Sequence, residues 1–364
     1  MRIQHKFSIG AFVVAGAILV ACGGGGGGTT PPTGGGGGAP STAPSTGGVT
    51  GGSPTAAASP SPSASASASA GTLSGTVVSI PQGTYGSGAP QTAYAGVTVV
   101  VGSVPVLGAT PPASAPAGDV IGTTNASGTF SVTPAHAPAA PTSAAPFVYP
   151  VANVFNVTTP ATGYYVSVFA PGSDGMTANE PIPYHGFLAV TAGSVGTVRV
   201  TTASPTESAF LTDVNTFRTS VGVQTLIFDE LTEEAARLHA TDEATVPVYY
   251  CHYDRTNQGP STRFLELGGL GSNEENIDGQ GGSSPTAYVQ ADQAFEAEGP
   301  GGGHYDNLVN STHQWAGLAQ VFSSVNGGAV YIDQELNSPN GTTQYTYQNF
   351  SGSECPGGIT VNNS

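Results

Sequence analysis

The segment GHYDNLVNSTHQWAGLAQ, residues 303–320, concentrates side chains that could take part in chemistry. It contains His304, His313 and Trp315, the only tryptophan of the chain. An imidazole can exchange a proton near neutral pH, and it can bind a metal ion through either ring nitrogen. A histidine that follows three glycines can equally be a polar residue at the start of a helix. The partners that the fold brings to His304 therefore decide between the two interpretations.

Two common catalytic motifs are absent from the sequence. There is no His-Glu-x-x-His motif, which places two zinc ligands one turn apart on a helix. There is also no serine in a Gly-x-Ser-x-Gly setting, where α/β-hydrolases hold their nucleophile. The sequence leaves enzymatic activity open and leans towards a protein without it.

The first residues look like an export signal. Arg2 and Lys6 precede an apolar run over residues 9–20, which is too short for a mature transmembrane helix. The run ends in Leu-Val-Ala before Cys22, and this ending resembles the signal of a bacterial lipoprotein. We expect residues 1–21 to be removed and Cys22 to carry lipid. An ordinary secretory signal that is cut at nearly the same place is the alternative.

Residues 22–71 consist almost entirely of Gly, Ser, Ala, Thr and Pro. Such a segment cannot bury enough apolar area to offset its ordering entropy, so we predict a disordered linker. Once the signal is removed, five arginines face 23 acidic side chains, and such a surface repels nucleic acid and anionic headgroups. We therefore expect no nucleic-acid partner, and membrane contact through the lipid alone.

Residues 72–202 have the pattern of β-structure. Short runs of Val, Thr, Tyr and Phe recur between turn-forming Gly, Pro, Asn and Ser, which predicts an all-β antiparallel sandwich. The stretches AGVTVVVG, TTNASGTFSV and ATGYYVSVFAPG resemble the carboxypeptidase-regulatory-like (transthyretin-like) family. That resemblance implies a spacer or an adhesion platform. His136 and His185 stand alone in this region and are expected to be surface or packing residues.

Residues 204–338 change to a mixed α+β pattern. A Ser-Pro-Thr-Glu capping box at residues 204–207 opens a helix, and apolar residues then recur at helical spacing. A second helix is predicted after Asp229, and a third in PTAYVQADQAFEAE. Strand-like runs at 316–322 and 329–336 follow, joined by an Asn-Gly-Gly turn. We expect an α+β sandwich followed by a C-terminal tail.

Five segments of this region are informative together because of their order along the chain. They are LTDVNTFRTSVGVQTLIFDELTEEAARLHATDEA, CHYDRTNQGPSTRF, EENI, GHYDNLVN and VYIDQEL. In this order they resemble the CAP superfamily of cysteine-rich secretory, antigen-five and pathogenesis-related proteins. The resemblance covers residues 205–337 and implies the α-β-α sandwich of that family. Glu274 stands where the family has a glycine, and Phe295 where it has a tryptophan.

The CAP resemblance also implies a cleft in which two histidines meet two glutamates. Matched segment by segment, these residues are His252, Glu275, Glu298 and His304, with Glu296 as the competitor of Glu298. Such a set could neutralise itself, could hold zinc or calcium, or could supply an acid and a base for hydrolysis. The two histidines are the candidate metal ligands.

Four residues near this set are expected to have structural or surface roles rather than to bind a ligand. We expect His239 to be a structural residue of its helix, and His313 to be a packing residue in place of an aromatic. Trp315 is expected in the core, and Glu274 is expected to be a solvated neighbour of the site.

Two cysteines remain once Cys22 is assigned to the lipid. Cys251 and Cys355 form an even pair in an oxidising compartment, so we expect a disulfide between them. It would tie the tail, residues 339–364, to the preceding domain. Two buried thiols are the alternative.

These interpretations combine into a lipid-anchored, extracytoplasmic protein of the bacterial envelope. The outer membrane or cell surface is favoured, because Gly23 stands where inner-membrane lipoproteins often have an aspartate. The CAP resemblance implies ligand binding in or beside the cleft, with a lipid or sterol, a peptide or protein, or an envelope component as ligand. A metal-assisted peptidase that uses the same cleft and a purely adhesive surface protein are the alternatives.

Overall fold

The architecture is a mixture of helices and strands, and most of its strand pairs are antiparallel. The computed structural model describes residues 71–84, 88–116, 118–138, 163–172, 177–188, 192–245, 251–254, 259–269, 271–280, 284–325 and 327–339. The predicted signal, Cys22, Cys355, and nearly all of the linker and the tail lie outside these residues. The domain boundary predicted near residue 203 stays a prediction. Among the described residues, none of the helices combines the length and the apolar composition that a bilayer span requires.

The first part of the described chain consists of strands: β1 (Leu73–Ser79), β2 (Thr92–Ala93), β3 (Thr98–Gly102), β4 (Val120–Thr123), β5 (Thr129–Val132), β6 (Tyr164–Phe169), β7 (Tyr184–Leu188) and β8 (Gly193–Val200). They form two four-stranded sheets. In one sheet β1 pairs with β2, β5 and β8, and the other has the order β4-β3-β6-β7.

The two sheets share one hydrophobic core. Side chains of a strand alternate between its two faces, so each sheet can turn one face inward. Val77 and Val198 of the first sheet lie in the same buried cluster as Val99, Val101 and Val166 of the second. This two-layered packing is what the predicted sandwich requires.

One strand pair departs from the predicted antiparallel arrangement. β8 runs parallel to β1, from Gly193 opposite Leu73 to Val200 opposite Ser79. The chain reaches β8 from β7, which belongs to the other sheet, so β8 need not fold back on its predecessor as a hairpin strand does. The prediction of an all-antiparallel sandwich is wrong for this pair, because composition predicts strands but not the sheet to which a strand crosses.

The second part of the described chain alternates helices and strands: α1 (Pro205–Ser220), β9 (Ile227–Phe228), α2 (Glu230–Thr245), α3 (Pro260–Glu266), β10 (Ser272–Gln280), α4 (Ala287–Ala297), α5 (Gly303–Val309), β11 (Trp315–Phe322) and β12 (Val330–Ser338). The strands form a sheet in the order β10-β12-β11-β9. The predicted capping box is present, since Ser204 Oγ accepts from the Glu207 N–H and Glu207 Oε2 accepts from the Ser204 N–H.

Helices cover both faces of this sheet. On one face, α2 packs through Ala236 and Ala240 against Ala319. On the other face, residues of α1, α4 and α5 share a larger cluster with Ala316 and Leu318. Three layers result, and the strand order places β10 at one edge of the sheet.

A buried aromatic contact joins the two parts. The ring of His185 in β7 stacks on Trp315 of β11, with 4.6 Å between ring centroids and 16° between ring planes. Nδ1 of His185 lies 3.0 Å from Oδ2 of Asp229, just before α2. Nε1 of Trp315 donates to the carbonyl of Leu107 at 3.2 Å. His185 and Trp315 are therefore buried residues that pack against each other between the two parts.

Candidate functional site

The structure forms the first predicted pair, His252 with Glu275. Nδ1 of His252 lies 2.9 Å from Oε2 of Glu275, which is carried by the edge strand β10. The Glu275 side chain is fully buried, whereas the His252 side chain is 24% exposed. Glu275 thus contacts the imidazole of His252 on its buried side, and part of the ring is exposed to solvent.

Arg263 of α3 fixes this pair. Its Nη1 donates to the carbonyl of His252 at 2.9 Å, and its Nη2 contacts the carboxylate of Glu275. Burial acts to raise the pKa of Glu275, but the charges of Arg263 and His239 and the hydrogen bonds of the two imidazoles hold it well below its usual range. An ionised carboxylate can only accept, so Nδ1 of His252 carries a proton. In the neutral ring, Nε2 then offers a lone pair.

The second predicted pair, His304 with Glu298, is formed at the start of α5. Nδ1 of His304 lies 2.6 Å from Oε1 of Glu298, and the His304 N–H donates to Oε2 at 3.1 Å. Glu298 rather than Glu296 is therefore the partner of His304. Gly302 permits the close approach of Glu298 to the start of α5, because a Cβ at Gly302 would lie 2.5 Å from the Cβ of Glu298. Nε2 of His304 is buried and has no hydrogen bond within the described residues.

Asparagines, not direct contacts, link the two pairs. Asn276 donates through Nδ2 to the carbonyl of His304 at 3.2 Å, and Asn307 donates to Oδ1 of Asn276 at 2.9 Å. In the part of the chain that the structure describes, no hydrogen bond or ion pair joins one His–Glu pair to the other. Glu275 and Asn276 are consecutive in β10, so their side chains leave the strand on opposite faces. A ligand in contact with both imidazoles would lie across the edge of β10.

Arg218 of α1 positions the end of α5. This buried guanidinium donates to the carbonyls of Leu308, Asn310 and His313. His313 in turn has its Nε2 3.1 Å from Oε2 of Glu274. Burial acts to raise the pKa of Glu274, but the hydrogen bond and charge of His313 lower it overall. Glu274 is therefore a partly solvated neighbour of the site, with its side chain 39% exposed, and it also makes specific contacts there.

Behind Glu275 lies a buried network that sequence reasoning missed. Nδ1 of His239 in α2 lies 2.8 Å from Oε1 of Glu275 and 2.9 Å from Oδ2 of Asp333. Oε2 of Glu335 accepts from Nδ2 of Asn273 at 2.6 Å. Burial raises the pKa of Asp333 and Glu335, with further increase from Glu275, and burial lowers the pKa of His239. The segment VYIDQEL could have indicated this network, because Asp333 and Glu335 occupy positions of a buried strand where apolar residues are expected.

Both imidazoles fit the requirements of a metal ligand. A metal-binding histidine usually donates its other ring N–H to a carboxylate, which fixes the ring and its tautomer. His252 and His304 each place Nδ1 on a glutamate, and Nε2 of His304 is buried without a hydrogen bond in the described chain. Each ring could therefore offer its Nε2 to a divalent cation. Among the described residues, three potential ligands come within 4.8 Å of one another at His239, Glu275 and Asp333, and neither His252 nor His304 belongs to that cluster.

Of the two cysteines predicted to form a disulfide, the described residues include Cys251. Cys251 is fully buried beside His252. Cys355 lies outside the described residues, so the disulfide stays a prediction.

Comparison with known proteins gives distant structural likenesses alone. No protein-family model and no curated protein sequence matches the chain. An outer surface protein from Borrelia burgdorferi is similar with 12% identity and a TM-score of 0.30, over 37% of this chain and 92% of that chain. Na-ASP-1, a CAP-family protein, is similar with 15% identity and a TM-score of 0.25, over 39% of this chain and 40% of that chain. Membership of the CAP family therefore remains a prediction from sequence.

Proposed function

We propose that the chain is an extracytoplasmic binding protein of CAP type that holds a divalent cation between His252 and His304. The observation that supports this most is the orientation of the imidazoles. A glutamate holds each ring at Nδ1, which leaves Nε2 as the coordinating atom. Zinc suits two imidazole nitrogens better than calcium, which prefers six to eight oxygen ligands.

The cation would give the site its ligand chemistry. When bound, it supplies positive charge that attracts a carbonyl, carboxylate or phosphate oxygen. Carbonyl, carboxylate and phosphate oxygens occur in the ligands that the sequence suggests, namely a lipid, a peptide or an envelope component. The chain's own residues keep the site in order, because Arg263 keeps Glu275 ionised and Asn307 ties α5 to β10.

Binding is favoured over hydrolysis with a glutamate as general base by the contacts of the two glutamates. A general base needs a lone pair directed at the proton it removes. Glu298 already accepts from the N–H and Nδ1 of His304, and Glu275 faces His239, His252 and Arg263. A peptidase and a purely adhesive protein remain as outcomes of the experiments below.

The same proposal locates the protein in the cell envelope, at the outer membrane or the cell surface. The lipoprotein-like ending at Cys22 supports a lipid anchor, and residues 22–71 would act as a tether. The sandwich over 72–202 would be a spacer of carboxypeptidase-regulatory-like type. A Cys22→Ser variant should move from the detergent phase to the aqueous phase on partition in a phase-separating detergent. A wild-type chain found in the aqueous phase would contradict the anchor.

Zinc binding by the full chain tests the central part of the proposal. In chelator competition, His252→Ala and His304→Ala should each weaken zinc binding at the cleft by roughly 100-fold, and Glu298→Gln by about 10–100-fold. His136→Ala is the matched control, because its ring contacts the carbonyl of Gly118 in the sandwich, and it should bind as wild type does. Unchanged affinity in His304→Ala contradicts the proposal. Peptide cleavage by wild type that both cleft variants lose would replace binding by hydrolysis.

A further inference from the structure

A second group of metal-ligating side chains lies in the interior behind Glu275. Nδ1 of His239 is 2.8 Å from Oε1 of Glu275 and 2.9 Å from Oδ2 of Asp333. One ligand atom from each of the three residues lies within 4.8 Å of the others, and all three residues are buried. This spacing is close to what a single ion with bonds of about 2 Å can span.

The acidic groups in this region outnumber the basic groups around them. Four buried acids interact there: Glu243, Glu275, Asp333 and Glu335. Arg263 contacts Glu275 and Glu335 but makes no ion pair with Asp333 in the described chain. The interior accepts carboxylates only when cations or hydrogen bonds compensate them.

Asp333 is the acid with the least compensation. Within the described residues, the hydrogen bonds and ion pairs of its side chain lead to His239 alone. Its second oxygen, Oδ1, is buried and has no hydrogen bond there, and the same holds for Nε2 of His239. A fully buried carboxylate oxygen without a donor is costly, so this atom points to a missing partner.

We propose that His239, Glu275 and Asp333 form a buried divalent-cation site, whose ion is distinct from the one between His252 and His304 although Glu275 contacts both places. One imidazole nitrogen with carboxylate oxygens suits zinc or manganese, whereas calcium needs more oxygens than this set offers. The ion offsets the surplus acidic charge and provides a partner for the unbonded oxygen of Asp333. Because its ligands come from α2, β10 and β12, it cross-links one helix to two neighbouring strands.

The interior ion would also order the cleft, and in this respect the inference rests on the proposed function. Glu275 belongs to both sites, since Oε1 faces His239 and Oε2 holds Nδ1 of His252. An ion on Oε1 fixes the carboxylate and with it the ring of His252. Loss of the interior ion should therefore also weaken zinc at the cleft.

Metal content of the full chain, purified in detergent, tests the interior site. The chain is stripped with chelator, incubated with zinc or manganese, desalted and analysed by mass spectrometry for bound metal. We expect about two ions per wild-type chain and about one in Asp333→Asn or His304→Ala, each variant having lost a different ion. The double variant should retain none. A metal content that Asp333→Asn leaves unchanged, or that His304→Ala alone reduces to zero, overturns the interior site.

Thermal unfolding of His304→Ala keeps the test valid if Asp333→Asn does not fold. Chelator should lower the Tm of His304→Ala by several degrees, and zinc or manganese should restore it, because an ion that binds only the folded state stabilises it. If chelator leaves that Tm unchanged, the acids hold protons instead of an ion and the inference fails. Zinc bound with equal affinity by wild type and by His304→Ala, but lost in Asp333→Asn, would refute the cleft proposal and support the interior site.

Discussion

Glu275 makes more charged contacts than the other three residues of the predicted cleft set. Its two oxygens face His239, His252 and Arg263, although water does not reach its side chain. A buried carboxylate stays ionised only if charges and donors replace the lost hydration. Arg263 is the largest single source of this compensation. Burial and the neighbouring acids shift the pKa of Arg263 itself in opposite directions. Burial lowers the pKa of Arg263, but Glu275 and Glu335 raise it further than burial lowers it.

Replacing Arg263 with methionine should destabilise the fold by about 3–5 kcal/mol, because Glu275 then stays buried without its cation. Urea unfolding followed by tryptophan fluorescence measures this. Arg199→Met is the comparison: Arg199 pairs with Glu234, whose side chain is 3% exposed, but the Arg199 side chain is 25% exposed, so water can partly replace it. That loss should therefore be clearly smaller than the loss in the Arg263 variant. Equal losses in the two variants would contradict the role of Arg263.

Glu233 in α2 should make stability depend on pH. Burial, reinforced by Glu230, raises the pKa of Glu233 to about 8, although a hydrogen bond from the Leu318 N–H opposes this. The folded state therefore binds this proton more tightly than the unfolded state, whose value is 4.5. The resulting stabilisation is fully present below pH 4.5 and is lost as the pH rises to about 8.

A Glu233→Gln variant tests this sign, because glutamine mimics the protonated acid at every pH. The variant should match wild type within about 1 kcal/mol at pH 5 and exceed it by several kcal/mol at pH 9. The free energy of urea unfolding at the two pH values is the measurement. A difference between variant and wild type that does not change with pH would rule out a raised pKa of Glu233.

At the scale of helices and strands, the close approach of α2 to the sheet depends on Gly317 in β11. A Cβ at this position would lie 2.0 Å from the carbonyl oxygen of Thr232. Gly317→Ala should therefore destabilise the fold by about 3 kcal/mol, as overpacking does when backbone must move. Gly88→Ala is the control, because nothing lies within 4 Å of its added Cβ. Equal urea midpoints for the two variants would contradict this packing.

Local signals predicted the elements that have strong local patterns. The capping box and the apolar spacing gave α1, and the two runs around the Asn-Gly-Gly turn gave β11 and β12. The strand β10, SNEENIDGQ, was recognised only as a motif, because an edge strand whose inward positions bind polar groups lacks strand-like composition. The crossover to β8 depends on tertiary packing and leaves no local trace.

The candidate site was predictable only as far as the family resemblance reached. It gave His252, Glu275, Glu298 and His304, and the structure pairs them two by two. His239 and Asp333 are 94 residues apart, so no local spacing could have brought them together. Their contact follows from α2 packing on β12.

At the scale of the whole molecule, His185 joins the sandwich to the C-terminal part. Its Nδ1 lies 3.0 Å from Oδ2 of Asp229, its Nε2 lies 3.2 Å from the carbonyl of Gly108, and its ring stacks on Trp315. His185→Ala removes all three contacts and should cost about 2–4 kcal/mol of stability. Tryptophan emission should change as well, because the only tryptophan loses its stacked ring.

The control for this prediction is His136→Ala in the sandwich, where the side chain is 22% exposed and contacts the carbonyl of Gly118. It should cost about 1 kcal/mol and leave the emission spectrum unchanged. Wild-type stability and emission in His185→Ala would show that the two parts do not depend on this contact.

The proposed function requires His252 and His304 to share one cation. The most direct measurement is a crystal structure of the zinc-soaked full chain, with diffraction recorded at the zinc absorption edge. A shared zinc ion would give an anomalous peak at about 2.0–2.1 Å from Nε2 of both His252 and His304. Rings too far apart to share an ion, or no zinc peak within bonding distance of either ring, would contradict it.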